Sequence, residues 1–439
     1  MSGVRPVVPT ALGGIYYVSN SGSDANPGTQ SQPWKTIQKA ANSLIAGQLV
    51  NVATGTYNER VQVSRSGAAG APITFQANGT VVTQGFTITA SYVTVDGFEI
   101  TNTPNNDRNG VGIFVMGNNC TLENNTIHFT AREGIYVTAP LSNPTASQNC
   151  VIKNNKIYQA ENAGITIQGR NHLVEGNEIS DTFQYSPLWP NAPSYVDADG
   201  IRFFGSGHIL RGNYIHDIKY GIPENINPHI DCFQTWQDSS SEAASNVVIE
   251  QNHCDNAQAQ SATESGAGLT IRYAKNLLIR NNIINAFANL NISNSEEITI
   301  VNNTLLSDLN LDLQFFPEGI SLANSTIHTT IKNNIFYDLP GQIIYAADAA
   351  SEQSILSEKN IAYRSDDKPP QTSGTYDHSN DFWGVNPLLA NPQAGDYHLQ
   401  TNSPAIDSGS DLTNLVSNDY DGHHRPLGSG FDIGAYEHP

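Results

Sequence analysis

The sequence contains few charged side chains, and positively charged ones are the scarcest. Only 14% of its 439 residues are Asp, Glu, Lys or Arg; with 21 basic and 41 acidic residues, the formal net charge is −20. An excess of negative charge repels phosphate backbones and anionic lipids, so no nucleic-acid or membrane partner is expected. No apolar run approaches the length of a transmembrane helix, and we therefore predict no membrane span.

Cysteine is also rare. Cys120, Cys150, Cys232 and Cys254 are too few for a disulfide-built scaffold, and they form no CxxC pair of the kind found in zinc sites. Cys120 and Cys150 hold equivalent positions in two copies of a repeat, so we expect stacked buried thiols, with a disulfide as the alternative. Residues 1–14 lack the features of a signal peptide. Because the composition is typical of secreted proteins, we expect an extracellular protein whose signal peptide is not part of this sequence.

A repeated phrase dominates the sequence: an apolar residue, a polar residue, Asn or Gly, Asn, and an apolar return. A second phrase, of the type Gly-Ile-x-Val-x-Gly, lies between its copies and alternates as a β-strand does. The aligned asparagines of the first phrase are 21 to 39 residues apart. They are Asn125, Asn155, Asn177, Asn213, Asn252, Asn282, Asn303 and Asn334.

These repeats predict an all-β fold, a single-stranded parallel β-helix. One coil cannot bury its own apolar side chains, whereas coils stacked about 4.8 Å apart bury a continuous column. A buried Asn at the same turn of each coil can bond the Asn above and below, which satisfies an amide that would otherwise cost about 1–3 kcal/mol. A β-sandwich with Asn-rich turns is the alternative, but it would not keep one Asn in register through every repeat.

Both ends of such a stack need caps, because they expose strand edges and apolar side chains. Residues 34–44 have helical spacing and predict a helical cap at the N-terminal end. The Asn phrase stops near residue 355, and we expect the loop-rich remainder to lie along the side or over the far end. The predicted organisation is an N-terminal cap with the first coils (1–85), a β-helix core (86–354) and a C-terminal cap segment (355–439).

Several segments resemble a known group of proteins. They are YYVSNSGSDANPGTQSQPWKTIQKAANSL (16–44), GTYNERV (55–61), APITFQAN (71–78), DYHLQTNSPAIDSG (396–409) and DIGAYE (432–437). They are similar to secreted right-handed β-helix proteins, which include polysaccharide lyases of the family 9 pectate-lyase type and related glycoside hydrolases. The resemblance implies a right-handed β-helix and a polysaccharide or oligosaccharide substrate. It leaves the reaction open, because the group contains lyases, hydrolases, epimerases and non-enzymes.

The Gly-Ile-x-Val-x phrases predict the position of a site. Their intervening residues point outward in columns along one face, and only the copies at 199–205, 231–237 and 268–275 combine acids, arginines and an aromatic ring. Long insertions lead into the same strands, and loops on a rigid scaffold commonly form a cleft. The predicted site residues are Asp197, Asp199, Arg202, His229, Asp231, Gln234, Trp236, Glu264, Arg272, Lys275, Trp189 and Tyr195, with Gln168 and Tyr136 from preceding coils.

Asp199 and Asp231 are expected on adjacent coils, about 5 Å apart. Carboxylates that close repel, so they need a shared proton, a cation or a substrate group between them. In the family 9 lyases, an Ala-Asp-Gly turn and an Asp-rich turn on the next coil hold calcium. The match at 198–200 and, in part, at Asp231 implies a Ca²⁺ site formed by these two aspartates, with Asp197 or backbone carbonyls completing the shell.

Four functions are compatible with these residues. β-Elimination on a uronate-containing glycan is favoured; a cation would bridge the aspartates and the substrate carboxylate, and Arg272 lies near the place of the family's base. Arg202 and His229 are further catalytic candidates. The alternative is a glycoside hydrolase that uses Asp199 and Asp231 as an acid/base or nucleophile pair. A uronate epimerase and a non-catalytic glycan-binding module are further alternatives.

Overall fold

The computed structural model describes residues 13–182, 198–218, 230–256, 266–307 and 319–439. Within these ranges the chain winds into stacked coils, and each strand pairs in parallel with the equivalent strands of the coils above and below. The paired strands form one sheet of 35 described strands, wound around three faces. The parallel β-helix expected from the repeats is therefore confirmed.

The three faces share one apolar interior. Face 1 contains Val61–Val63, Phe86–Ile88, Ile113–Val115, Ile135–Val137, Ala163–Arg170, Asp199–Ser206, Asp231–Thr235, Ala267–Arg272, Ala288–Ser293, Ile320–Ala323 and Ile344–Ala346. Face 2 contains Ile15–Val18, Leu49–Tyr57, Ile73–Thr83, Val93–Asp96, Thr121–Glu123, Val151–Lys153, Leu173–Glu175, Ile209–Arg211, Ser245–Glu250, Lys275–Arg280, Glu296–Val301, Ile327–Lys332 and Ile355–Glu358. Face 3 contains Glu99–Thr101, Thr126–Thr130, Lys156–Ala160, Glu178–Ser180, Tyr214–His216, His253–Asn256, Ile283–Ala286, Thr304–Leu306, Ile335–Tyr337, Ile361–Tyr363 and Phe382–Trp383.

The elements outside the coils are short. None of the helices in the described ranges has the length and apolarity needed to cross a membrane. The remaining described elements are the α-helices Ile37–Ser43 and Ala349–Gln353, the 3-10 turns Asp107–Gly110, Pro144–Ala146 and Pro392–Ala394, and the antiparallel strands Leu389–Asn391 and Asp396–Leu399.

The predicted N-terminal helix forms at Ile37–Ser43. Thr36 caps it, because its hydroxyl accepts a hydrogen bond from the backbone N–H of Lys39 at 3.0 Å. The helix buries Ile37 and Ala40 in the same apolar cluster as the first coils. Its apolar spacing therefore serves to close the core at this end.

The Asn ladder is present and longer than the repeat predicted. Each Asn Nδ2 donates to the Asn Oδ1 of the next coil at 2.9–3.0 Å, from Asn125 onward. The prediction that the phrase stops near residue 355 is wrong, because Asn360 continues the ladder and donates to Asp381 Oδ1 at 3.0 Å. In this copy the two inward apolar positions hold Ser357 and the small Ala362, and Lys359 precedes the Asn, which hid the last copy.

The C-terminal segment lies along the side of the stack, as expected. Tyr397, Leu399 and Ile433 form an apolar cluster with Ile283 and Ile335, whose strands belong to face 3. Face 3 is thus apolar on its outer side where this segment covers it.

The cysteines fall into two pairs. Cys120 and Cys150 are buried free thiols on successive coils, as predicted. Cys232 and Cys254 form a disulfide with a Cα–Cα distance of 6.0 Å, which the sequence reasoning missed. The bond joins face 1 to face 3 of one coil, so recognising it requires knowing that both side chains point into the interior.

Candidate functional site

Face 1 aligns its outward side chains in the predicted column. Tyr136 pairs with Thr166, Thr166 with Arg202, Arg202 with Gln234, and Gln234 with Thr270. Residues up to 134 positions apart in the chain therefore lie side by side. The vertical register on which the predicted site depended is confirmed.

The glycine of the Gly-Ile phrase is required by close packing against face 3. A Cβ at Gly134 would lie 2.5 Å from Ile157 Cγ2, and one at Gly164 would lie 2.4 Å from Ile179 Cγ2. Glycine therefore lets the coil turn tightly into face 1. On the coil that contains Gly134, the same turn also fixes the position of the preceding residue, Glu133.

A cleft of about 450 Å³ lies over face 1. Four of the predicted site residues line it: Tyr136, Gln168, Arg202 and Trp236. Among the described residues, the charged side chains that line it are Arg108, Arg132, Arg202 and Glu133. The cleft is thus rich in arginine, although the chain as a whole carries a net charge of −20.

A buried polar network runs along one side of the cleft. Asn162 Nδ2 donates to Glu133 Oε1 at 2.7 Å, and Asn162 Oδ1 accepts from Arg202 Nη1 at 2.9 Å. Arg202 Nε donates to Asp199 Oδ2 at 2.5 Å. Glu133, Asn162, Arg202 and Asp199 are all at least 93% buried. Because buried polar groups are costly unless paired, this network holds the glutamate and the guanidinium in fixed orientations.

An aromatic side chain bounds the cleft beyond Arg202. The Arg202 guanidinium lies 5.5 Å from the Trp236 ring centroid, and Phe204 meets the same ring edge to face at 4.6 Å. Trp236 Nε1 donates to Asp238 Oδ2 at 2.8 Å. The indole is therefore held in place and presents a flat surface at the edge of the cleft.

Tyr136 supplies a phenol at the centre of the cleft. Burial raises the pKa of Tyr136 above its usual value of 10.0, the charge of Glu133 acts in the same direction, and Arg132 and Arg202 oppose it. The phenol therefore remains protonated at neutral pH and can donate a proton. The phenol thus shares the cleft with the positive charges of Arg132 and Arg202 and the negative charge of Glu133.

Two models of right-handed β-helix regions match the sequence. Residues 16–192 match the model of the Pel9A-like right-handed β-helix region, and residues 144–361 match that of the right-handed β-helix region. The chain is a right-handed β-helix protein.

Similar proteins agree with this fold. Pectate lyase Pel9A is 18% identical with a TM-score of 0.58, and the match covers 98% of this chain and 97% of that one. XylC, solved with xylose, is 13% identical with a TM-score of 0.56, and the match covers 96% and 98%. Uncharacterized protein YwoF of Bacillus subtilis (strain 168) is 44% identical over 64 residues, which are 15% of this chain and 14% of that protein. Structural likeness at such low identity establishes the fold and not the reaction.

The two central aspartates of this β-helix protein are adjacent but not exposed. The backbone N–H of Asp231 donates to Asp199 Oδ1 at 3.2 Å, so the two residues do lie on neighbouring coils. Asp199 is 0% exposed and Asp231 is 3% exposed. Gln234, predicted to bind substrate, is also buried and donates to Asp231 Oδ2 at 3.1 Å. Within the described part of the chain, these three side chains support the cleft from below and do not line it.

Two other predicted residues lie away from the cleft. Lys275 begins a strand of face 2 and pairs with Glu296 at 2.5 Å, so its placement with the substrate is corrected. Arg272 ends its face 1 strand in an exposed position next to Ser293 and does not line the cleft. The chain turns after Tyr273, a residue in the left-handed region at φ 61°, and this turn places Lys275 on face 2 while the cleft lies over face 1.

Five further predicted residues lie outside the described ranges. They are Asp197, His229, Glu264, Trp189 and Tyr195.

The described side chains do not fit the calcium ion that the resemblance implies. Ca²⁺ takes six to eight oxygen ligands. The Asp199 carboxylate instead accepts hydrogen bonds from a guanidinium and a backbone amide, and the Asp231 carboxylate accepts one from a side-chain amide. These nitrogen donors suit carboxylates that the protein itself binds, and Arg202 neutralises the charge of Asp199.

Sequence reasoning missed four residues of the site. Arg108, Arg132, Glu133 and Asn162 line the cleft, yet their coils carried no obvious cluster of charge. One signal was present. Glu133 and Asp199 hold the same position in the repeat, two residues before its Ile, and each has an arginine nearby in the sequence. The pairing of an acid with an arginine on two coils could have extended the predicted site toward the N-terminus.

Proposed function

We propose that this β-helix protein cleaves a uronate-containing polysaccharide by β-elimination. The observation that carries the proposal is the charge of the cleft: three arginines and one glutamate are its charged lining residues in the described part of the chain. In a chain with a net charge of −20, this concentration of positive charge favours an anionic substrate.

Arginine suits the first requirement of elimination. Removal of the proton next to the uronate carboxylate places negative charge on that group, and a neighbouring guanidinium stabilises it. Arg132 and Arg202 line the cleft together with Tyr136, and the charge of each lowers the pKa of its phenol. A planar guanidinium can also hold a carboxylate through two parallel hydrogen bonds, which fixes the sugar ring.

Glu133 and Tyr136 suit the proton transfers. The Glu133 carboxylate would take the proton from C5 of the uronate, while the C5–H electrons form the C4–C5 double bond. The bond from C4 to the glycosidic oxygen then breaks, and Tyr136 would give its phenolic proton to the departing oxygen. Asn162 holds Glu133 Oε1 at 2.7 Å, which keeps the carboxylate oriented for its role.

The position of the aspartates beneath the cleft, outside its lining, supports elimination over hydrolysis. A hydrolase of the predicted kind needs two carboxyl groups that reach the glycosidic bond from its two sides. Asp199 is 0% exposed and is bonded to Arg202. A single described carboxylate in the cleft, Glu133, suffices for elimination with an arginine and a tyrosine as partners.

The experiment is product analysis on a panel of polyuronates and neutral polysaccharides. We expect products that absorb in the ultraviolet as unsaturated uronates, and whose masses sum to that of the substrate. Products whose summed mass exceeds that of the substrate by one water for each cut, without that absorbance, would establish hydrolysis instead. Unchanged polyuronate mass with altered sugar configuration would establish epimerisation, and binding without any change would establish a glycan-binding module.

Tyr136→Phe tests the proposed proton donor. Loss of the phenol should lower the elimination rate by about 100-fold or more, the range for general acid–base groups. Tyr158→Phe is a matched control, because Tyr158 stacks on His128 on face 3, away from the cleft. Equal rates for the two variants would refute the role of Tyr136.

We also propose an extracellular location. The Cys232–Cys254 disulfide supports it, since disulfides persist in oxidising compartments.

A further inference from the structure

Two buried aspartates on neighbouring coils lie beneath the cleft. Asp199 and Asp231 are the first residues of successive face 1 strands and are 0% and 3% exposed. Bringing two carboxylates together in a buried position raises the free energy of both charges. Such a pair needs positive charge or hydrogen-bond donors close to its oxygens.

Arg202 provides that charge within the protein. Its Nε lies 2.5 Å from Asp199 Oδ2, and its Nη1 donates to Asn162 Oδ1 at 2.9 Å. Asp199 Oδ1 and Asp231 Oδ2 accept further hydrogen bonds, from the backbone of Asp231 and from Gln234. Three of the four carboxylate oxygens that could coordinate a bridging metal ion therefore accept hydrogen bonds from N–H groups.

We infer that the Arg202 guanidinium takes the place of a divalent cation in this cleft. It binds Asp199 of the aspartate pair on one side and, since it also lines the cleft, presents its guanidinium toward the substrate on the other. Arginine keeps its charge at all physiological pH values. The cleft is therefore expected to work without Ca²⁺. One part of the inference rests on the proposed function, namely that the substrate carries a carboxylate.

The neighbouring residues support a fixed guanidinium over an exchangeable ion. Asn162 holds Nη1 from the adjacent coil, and the Trp236 ring lies 5.5 Å from the guanidinium carbon. No group of three or more His, Cys, Asp or Glu side chains in the described ranges is arranged to hold a metal ion. Ca²⁺ would have to displace Arg202 and to find most of its six to eight oxygen ligands elsewhere.

Terbium luminescence tests this inference without any substrate. Tb³⁺ replaces Ca²⁺ in oxygen sites and emits when a nearby tryptophan is excited, and the Trp236 ring lies 5.5 Å from the guanidinium that binds Asp199. Tb³⁺ emission is measured for proteins with and without the Trp236→Phe substitution, and with and without added Ca²⁺. The signal that counts is the emission that Trp236→Phe removes and that Ca²⁺ suppresses. We expect the wild-type protein to show no such emission, and Arg202→Met, which removes the charge but keeps the side-chain bulk, to gain it.

Arg202→Lys is the matched control, because it retains a positive charge and should gain no emission. Circular dichroism establishes that each variant is folded, and the wild-type measurement stands even if Arg202→Met does not fold. Trp236-dependent, Ca²⁺-suppressed emission from the wild-type protein would overturn the inference. A folded Arg202→Met protein without the gain would also overturn it, because the aspartates would then not form a cation site. Neither result depends on elimination activity, so failure here is distinguishable from failure of the proposed function.

Discussion

The Asn ladder makes a strong prediction about stability, which Asn213→Ala tests. Asn213 Nδ2 donates to Val174 O at 3.0 Å and to Asn252 Oδ1 at 2.9 Å. Its Oδ1 accepts from the backbone N–H of Asn177 at 3.1 Å and from Asn177 Nδ2 at 2.9 Å. Alanine removes all four hydrogen bonds, and at about 1 kcal/mol each the variant should lose about 4 kcal/mol of unfolding free energy.

The assay is urea-induced unfolding followed by circular dichroism. Asn285→Ala is a suitable control, because the half-buried Asn285 donates a single hydrogen bond to Asp255 at 3.0 Å. The control should lose less than about 0.5 kcal/mol, as is usual for a surface substitution. If Asn213→Ala loses no more than this control, the ladder does not stabilise the stack and the reasoning is refuted.

Two further predictions concern the interior. Burial lowers the pKa of His208 from its usual 6.5 to about 3, so between these pH values the unfolded chain binds a proton that the folded chain does not. Wild-type stability should therefore fall as the pH drops below 6.5, by about 2 kcal/mol at pH 5. His208→Gln should remove this part of the loss in urea unfolding at pH 5 and pH 8, and an undiminished loss would contradict the cause. The Cys232–Cys254 disulfide closes a separation of 22 residues, which is worth about 3 kcal/mol. A double Cys→Ala variant should melt at a lower temperature, and an unchanged melting temperature would contradict that estimate.

The repeat made the scaffold predictable from the sequence. Parallel coils place equivalent residues above one another, so a recurring Asn such as Asn155 predicted the ladder, and alternation predicted that Tyr136, Arg202 and Trp236 share one face. Once the turns have fixed the register between neighbouring coils, these side chains have little freedom to lie elsewhere on the stack.

The chemistry of the cleft was harder to predict, because it depends on side-chain directions. Asp199 is the first residue of its strand, and its burial depends on the partner that Arg202 offers it, three residues later on the same strand. The link between Glu133 and Arg202 runs through Asn162, an amide with no charge to mark it in the sequence. A list of acidic and basic residues therefore points to the right face but places the centre of the site too far toward the C-terminus.

The measurement that tests the central claim most directly compares Glu133→Gln with Glu123→Gln on a polyuronate that the wild-type protein cleaves. Glu123 lies on face 2 and pairs with Lys153 at 2.9 Å, so its substitution makes the same chemical change outside the cleft. Glu133→Gln should lower the rate of unsaturated product formation by about 100-fold or more, the range for a general base, while Glu123→Gln retains the wild-type rate. Equal rates in the two folded variants would contradict the assignment of the cleft as the site of elimination.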